Sequence, residues 1–366
     1  DAVTDDSRLV IRVLREAQED GAEVINYVGV DSLIKENGRV VGANLRNAET
    51  DEIYSVKAKV VINATGAWAD ELRGEMSDEK NIRPARGSHI VVPSWRLPVA
   101  QAYTAMHPDD KRPIFIFPWE GRTVIGTTDI DNKGIDNKEV AMTRAELEYL
   151  MRVVNFQFPK ANLKEPDIIS SWAGVRPLVS SGALNPSKEK RNHSIWSDKG
   201  LVTVSGGKLT TFRLIALDVL KEAGSYLPGF SALDSGAEMF TPSNPIHALF
   251  KSLPGYLKKR LKGHYGMDSD LLLAQAQPNE LDVIPGASAM WAELRWSARN
   301  EAVVHLDDLL LRRTRIGLLV EQGGLIYEAK IKAICCQELK WDDSHWQAEL
   351  ERYKTIWNTY YSIPAK

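Results

Sequence analysis

An α/β unit followed by an all-α region is the fold class this sequence predicts, and three observations predict it. Short apolar runs of strand type recur up to residue 205 and repeatedly break into glycine plus polar groups. Segments with helical spacing interrupt them. A stretch rich in Gly, Ser and Pro over 223–244 then separates this pattern from a tail in which strand signals nearly vanish. The predicted division is residues 1–235 for the α/β unit and 242–366 for the helical domain, with the boundary near Pro242.

Taken in order, residues 7–20 carry Leu9, Val10, Val13, Leu14 and Ala17 at helical spacing, with Asp6 as N-cap and Gly21 as the stop. Residues 23–28, 30–35 and 39–44 read as strands, the last two joined by the turn Glu36-Asn37-Gly38. The run 59–63 is of buried-strand type, and Ala64-Thr65-Gly66 is its turn into a helix over 68–73. From 87 to 129 the signals are mostly strand, with Glu120-Gly121-Arg122 reversing the chain as a hairpin. A helix follows over 143–156, capped by Thr143 with Glu146 and Glu148 in its first turns. Strands resume over 167–170 and 194–205, and a helix runs to 222 from a start at Leu209 or Thr210. Beyond the linker, 247–261, 268–276, 288–303, 306–320 and 329–361 read as helices.

With 366 residues, 43% hydrophobic and 26% charged, the chain is long enough for two cored domains and has an ordinary globular composition. A net charge of -3 gives no global attraction to nucleic acid, and no basic stripe interleaved with aromatics appears. No apolar run approaches the roughly 20 residues that span a bilayer, and the first residues are acidic where a signal peptide is basic. A cytoplasmic protein is expected. The only cysteines, Cys335 and Cys336, are adjacent. Neighbouring cysteines seldom form a relaxed disulfide, and one pair makes no structural zinc site by itself, so no metal is predicted and both fall on a buried helix face.

The most informative stretch is Leu201-Val202-Thr203-Val204-Ser205-Gly206-Gly207-Lys208-Leu209-Thr210-Thr211. A strand that ends in Gly-Gly brings bare backbone amides to a bound group, and the following helix aims its positive end there. A Walker loop is excluded, because Lys208 is followed by Leu209 and the upstream glycine spacing is wrong. The other glycine-polar breaks are Arg86-Gly87-Ser88-His89, Gly126-Thr127-Thr128-Asp129 and Gly174-Val175-Arg176-Pro177-Leu178.

These stretches, with Val60-Val61-Ile62-Asn63-Ala64-Thr65-Gly66-Ala67-Trp68 and Pro118-Trp119, resemble the aerobic type of FAD-dependent glycerol-3-phosphate dehydrogenases and their oxidase relatives in order and spacing. Asp307-Asp308 and Arg312-Arg313-Thr314 are similar to that family's terminal domain. The resemblance implies a flavoprotein of the glutathione-reductase-like, amino-acid-oxidase-like group, with partial FAD-binding and substrate-binding parts in 1–235. No Gly-x-Gly triplet occurs in the sequence, whereas the family opens on a Gly-x-Gly-x-x-Gly turn that receives the FAD pyrophosphate. The expectation is an N-terminally incomplete flavin domain that binds FAD weakly or not at all, with an uncovered sheet edge favouring a homodimer.

The resemblance further implies oxidation of sn-glycerol 3-phosphate to dihydroxyacetone phosphate, with electrons passed to a quinone at the inner membrane face. Two alternatives stay open: an oxidase that uses oxygen, and an inert module without FAD. Arg176, Arg191 and Lys208 fall at phosphate-binding positions, arginine being the better fork for phosphate oxygens. Arg191 also belongs to the charge run Lys188-Glu189-Lys190-Arg191, which reads equally as a solvated face. His89 is the candidate catalytic base, alongside Arg176, although a strand histidine is also an ordinary structural residue. Gly206, Gly207, Lys208, Leu209 and Thr210 would face the flavin ring edge, and Ala64, Thr65 and Gly66 would approach the dinucleotide from the sheet side. Thr127 and Thr128 fit either a turn or a substrate contact, and Trp68 and Trp119 fit the core.

Overall fold

The computed structural model describes residues 4–132, 139–180, 192–231 and 234–365. The opening helix α1 (Asp6–Glu19) is capped by Asp5, not by Asp6 as expected: Asp5 has extended backbone and its side chain accepts from the Arg8 amide. The strand expected at 23–28 does not form, because Tyr27 sits at φ 56 and its hydroxyl donates to Asp308 at 2.9 Å. The first strand is instead β1 (Val28–Glu36), which pairs antiparallel with β2 (Arg39–Asn47) across the predicted turn. Asn37 and Gly38 both lie at positive φ, as a two-residue hairpin loop requires. β3 (Ile53–Lys57) completes this sheet and is exposed at every position, which removes the alternation that would reveal it in sequence.

Next come β4 (Val61–Asn63), α2 (Ala69–Arg73), β5 (Ile82–Pro93), β6 (Tyr103–Met106), β7 (Pro113–Trp119), β8 (Arg122–Gly126), β9 (Ile130–Asp131), α3 (Arg144–Gln157) and β10 (Ser170–Val179). The order β10-β5-β8-β7-β6 forms an antiparallel sheet, with β9 also on β5. One face buries Ile90, Val92, Ile114, Ile116 and Ile125 against Leu147, Leu150 and Val154 of α3. Those three helix positions stand at i, i+3 and i+7, and each buried aliphatic side chain contributes about 1.5–3 kcal/mol. The β7–β8 reversal at Glu120 and Gly121 has positive φ at both residues, as the expected hairpin needs. Where 167–170 was expected to be the strand, β10 runs on to Val179, which places Arg176 within a strand.

The third sheet holds β11 (His193–Asp198), β12 (Leu201–Gly206) and β4, with β12 parallel to β4. Because the two run the same way, their carboxyl-terminal turns, Ala64-Thr65-Gly66 and Gly206-Gly207, emerge at one edge of the sheet. After β12 a 3-10 turn over Leu209–Thr211 precedes α4 (Phe212–Ala223), so the α-helix starts later than its expected start at Leu209 or Thr210.

The rest is helical: α5 (Ala248–Ser252), α6 (Gly255–Tyr265), α7 (Ser269–Gln275), α8 (Trp291–Asn300), α9 (Ile316–Leu319), α10 (Glu328–Leu339) and α11 (Asp343–Ile356). Pro254 breaks the expected 247–261 helix and caps α6, and Lys340 at φ 61 breaks the expected 329–361 helix into α10 and α11. The 306–320 segment divides into a π-helical turn over Asp308–Arg313 and α9. Its core gathers Leu309, Leu310, Leu311, Ile316, Leu319, Trp346 and Tyr353. Cys335 is buried and Cys336 half-buried on α10, and both are free. Among the described residues no helix is long and apolar enough to cross a membrane.

Candidate active site

Cross-strand register assembles one face of the β10–β5 pair. Trp172 stands opposite His89, Gly174 opposite Gly87, and Arg176 opposite Ala85. The His89 ring stacks on Trp172 with centroids 5.0 Å apart and planes at 16°. Gly87 and Gly126 make room for the two chemical groups. A Cβ on Gly87 would lie 2.2 Å from a guanidinium nitrogen of Arg176, and one on Gly126 would lie 2.2 Å from the His89 ring. A Cβ on Gly174, between Trp172 and Arg176 on β10, would meet nothing within 4 Å. The face therefore has an open floor flanked by an imidazole stacked on indole and by a guanidinium.

Arg176 donates to Thr127 Oγ1 at 2.8 Å and lies 3.9 Å from the Asp129 carboxylate. Burial first, and the Arg176 charge second, push the His89 pKa down to about 3, so the ring is neutral at ordinary pH. Two buried polar atoms here make no hydrogen bond, His89 Nδ1 and Asp129 Oδ1, the latter facing Arg176 at 3.9 Å. Buried polar groups are nearly always satisfied, so orphans on one face mark a place where a ligand or solvent completes the bonding.

β10 also packs across β12 and the Gly66–Trp68 turn, which brings the second group of motifs to the same seam. Asn63 Nδ2 donates to the Ala69 carbonyl at 2.9 Å and its Oδ1 accepts from Thr65 Oγ1 at 2.7 Å, which fixes the Ala64-Thr65-Gly66 turn. Gly206 and Gly207 have φ of 79 and 88, and a Cβ on Gly206 would lie 2.6 Å from the Asn192 carbonyl oxygen. Ser205 Oγ, beside them, is a third buried orphan. The Leu209–Thr211 turn has no side-chain cap, so its leading amides face an electron-rich group, whereas the Thr211 and Phe212 amides already donate to the Lys208 and Leu209 carbonyls.

The structure thus brings His89 and Arg176 together on one face, and sets Gly66, Gly206 and Gly207 at the adjoining seam. Ala64, Thr65, Lys208, Leu209 and Thr210 are exposed beside it. Arg191 lies outside the described residues. Three participants escaped the sequence reading: Trp172, Asn63 and Glu146. The Glu146 carboxylate, fully buried, accepts from Ser88 Oγ at 2.8 Å and Thr128 Oγ1 at 2.7 Å. Its only sequence signal is Thr143-x-x-Glu146, which announces a helix start. A cavity of about 440 Å³ lined by Trp95, Arg96, Asp167, Gln322 and Trp357 contains none of these residues.

Two adjoining faces, one with a cation and a neutral imidazole, the other with bare amides at parallel strand ends, define a nucleotide-cofactor oxidoreductase layout. The FAD dependent oxidoreductase family is matched over residues 1–213, and the C-terminal domain of alpha-glycerophosphate oxidase over 234–346. The chain belongs to the FAD-dependent oxidoreductase family. It is 35% identical over 337 residues to the aerobic glycerol-3-phosphate dehydrogenase of Staphylococcus haemolyticus, covering 85% of this chain and 60% of that protein. Against the protein of the same name from Staphylococcus epidermidis it is 31% identical, covering 95% of this chain and 66% of the relative. The chain thus spans about two thirds or less of the length of these curated relatives. It is also similar to the crystal structure of glycerol-3-phosphate dehydrogenase from Bacillus halodurans complexed with FAD. That likeness has a TM-score of 0.79 at 26% identity and covers 98% of this chain and 73% of that one.

Proposed function

We propose that this chain carries the substrate face and flavin-edge seam of an FAD-dependent enzyme that oxidises sn-glycerol 3-phosphate to dihydroxyacetone phosphate. A quinone is the electron acceptor in this reading, as the resemblance of the sequence motifs implies. The observation that carries it is the pairing of a guanidinium with a neutral imidazole, its Nδ1 without a hydrogen bond, across an open glycine floor. The residues at the seam suit the cofactor: an orphaned Ser205 hydroxyl, two positive-φ glycines and uncapped helical amides are donors that an electron-rich ring edge or phosphate would take. When bound, FAD supplies the hydride acceptor.

This chain's residues supply the rest. Arg176 holds the substrate phosphate, with Lys208 adding charge from the seam and Arg191 a further candidate cation. The Gly174 floor admits the carbon skeleton. His89 takes the hydroxyl proton. A resting pKa near 3 makes it a weak base, but a bound phosphate dianion neutralises the Arg176 charge that helps hold that value down. Substrate binding itself thereby raises the basicity of His89.

Calorimetric titration with sn-glycerol 3-phosphate tests the reading, with glycerol and Arg176→Ala as comparisons. We expect binding that needs the phosphate group and that R176A weakens about tenfold to a hundredfold, the range for one charge-assisted contact. Equal affinity for glycerol, or an unchanged R176A, overturns it.

A further inference from the structure

We propose that Glu146 is a positioning residue of this site, holding both the His89 strand and the Thr127–Thr128 segment in place. The inference rests on the reading that Arg176 and His89 form the substrate face. Its two carboxylate oxygens do different work. Oε2 closes a capping box at the start of α3, accepting from the Thr143 amide at 2.9 Å and the Thr143 hydroxyl at 2.8 Å. That contact stabilises a helix end and asks for nothing more. Oε1 turns the other way and accepts from Ser88 Oγ at 2.8 Å and Thr128 Oγ1 at 2.7 Å. Arg86 approaches the same carboxylate at 3.1 Å.

The second oxygen braces the end of the β5–β8 pairing, where His89 stands opposite Gly126 and the Thr128 amide donates to the Ser88 carbonyl at 3.4 Å. Ser88 lies between Gly87, which floors the Arg176 guanidinium, and His89. Thr128 follows Thr127, whose hydroxyl accepts from Arg176, and the Thr128 hydroxyl also accepts from the Ser88 amide at 2.9 Å. The path from Glu146 to Arg176 therefore crosses two hydroxyls, of Thr128 and Thr127, and one peptide unit. Burial alone would raise the Glu146 pKa. The Thr143 amide and the Thr128, Thr143 and Ser88 hydroxyls outweigh it and hold the group below its ordinary value, so the bridge acts as an anion. The carboxylate accepts on both sides at once, at the cap through Oε2 and from two hydroxyls through Oε1, which a neutral amide cannot do because it has one oxygen and its nitrogen only donates.

Glu146→Gln separates the two roles: the Thr143 amide can only donate and claims the glutamine oxygen at the cap, which leaves the nitrogen, unable to accept, facing the Ser88 and Thr128 hydroxyls. Thr143→Ala is the converse, losing the cap while leaving Oε1 in place. Two readouts are taken on the full chain: affinity for sn-glycerol 3-phosphate by calorimetry, and the His89 imidazole resonances by nuclear magnetic resonance with His89→Gln for assignment. E146Q is expected to keep a folded spectrum, shift the His89 resonances and weaken binding roughly tenfold. T143A is expected to lower the melting temperature and change neither readout. Should E146Q fail to fold, Thr128→Val keeps the shape and the carboxylate and reads the same bridge. Wild-type His89 resonances and affinity in E146Q or T128V, or the same losses in T143A, overturn the positioning role. If the unmutated chain binds no sn-glycerol 3-phosphate, the functional reading fails instead, and the His89 resonances still decide the bridge.

Discussion

Gly87 and Gly126 look alike in sequence, each preceding polar residues, but they protect different things. A Cβ at Gly87 collides with the far end of the Arg176 side chain, which can swing away, and with Thr127 Oγ1 at 2.5 Å. A Cβ at Gly126 collides with an imidazole already pinned against Trp172. Gly87→Ala should therefore cost little stability while displacing the guanidinium and weakening sn-glycerol 3-phosphate, whereas Gly126→Ala should cost about 1–3 kcal/mol of unfolding free energy through overpacking. Urea unfolding and calorimetry on both variants check this, and equal stability losses in the two would contradict it. His89 and Arg176 were legible in the sequence because their motifs carry glycines beside them. Trp172 and Asn63 were not, since a strand tryptophan and a strand-end asparagine are ordinary until register puts one under an imidazole and the other at a turn.

Elements were legible where a local signal was strong. Thr143 with Glu146, Asn37-Gly38 and Glu120-Gly121 each dictate a cap or turn by their own chemistry, and each appears where expected. Breaks set by tertiary contact were invisible. The helical run expected over 329–361 has no glycine or proline at its interruption, yet Lys340 adopts φ 61, a left-handed conformation that costs an L-residue about 1–2 kcal/mol. The packing of α10 and α11 around Trp346 and Cys335 holds that conformation in place. Lys340 is exposed, and among the described residues its ammonium donates only to the Gln337 carbonyl at 2.9 Å. Replacing it with glycine, Lys340→Gly, should raise stability by about 0.5–1 kcal/mol, because glycine adopts this conformation without the Cβ clash. Thermal or urea unfolding of the variant measures the gain, and a loss of that size would mean the Lys340 contact outweighs the backbone strain.

At the scale of the whole molecule, buried charge joins regions that sequence spacing keeps apart. Arg8 of α1 meets Glu301 beyond α8 at 2.7 Å and lies 4.2 Å over the Tyr265 ring of α6. Arg260 of α6 pairs with Glu293 of α8 at 2.9 Å and with Glu120 of the β7–β8 turn. His264 sits among these groups. Burial, then Arg260 and Arg8, press its pKa down to about 4 against the opposing pull of Glu293 and Asp5. The unfolded chain protonates histidine near 6.5, so below that pH the unfolded state takes up protons that folded His264 and His89 refuse. Their contribution to stability is present above about pH 6.5 and is lost as the pH falls toward 4. His305 and Glu120, both raised in the fold, act in the opposite sense, so the overall pH profile mixes the two. Comparing the wild type with His264→Gln isolates one group, since every other contribution is common to both. Between pH 7 and pH 5 the wild type should lose about 1–2 kcal/mol more unfolding free energy than H264Q. Urea denaturation at the two pH values measures that difference, and parallel losses in the two proteins would mean that His264 is protonated as readily in the folded network as in water.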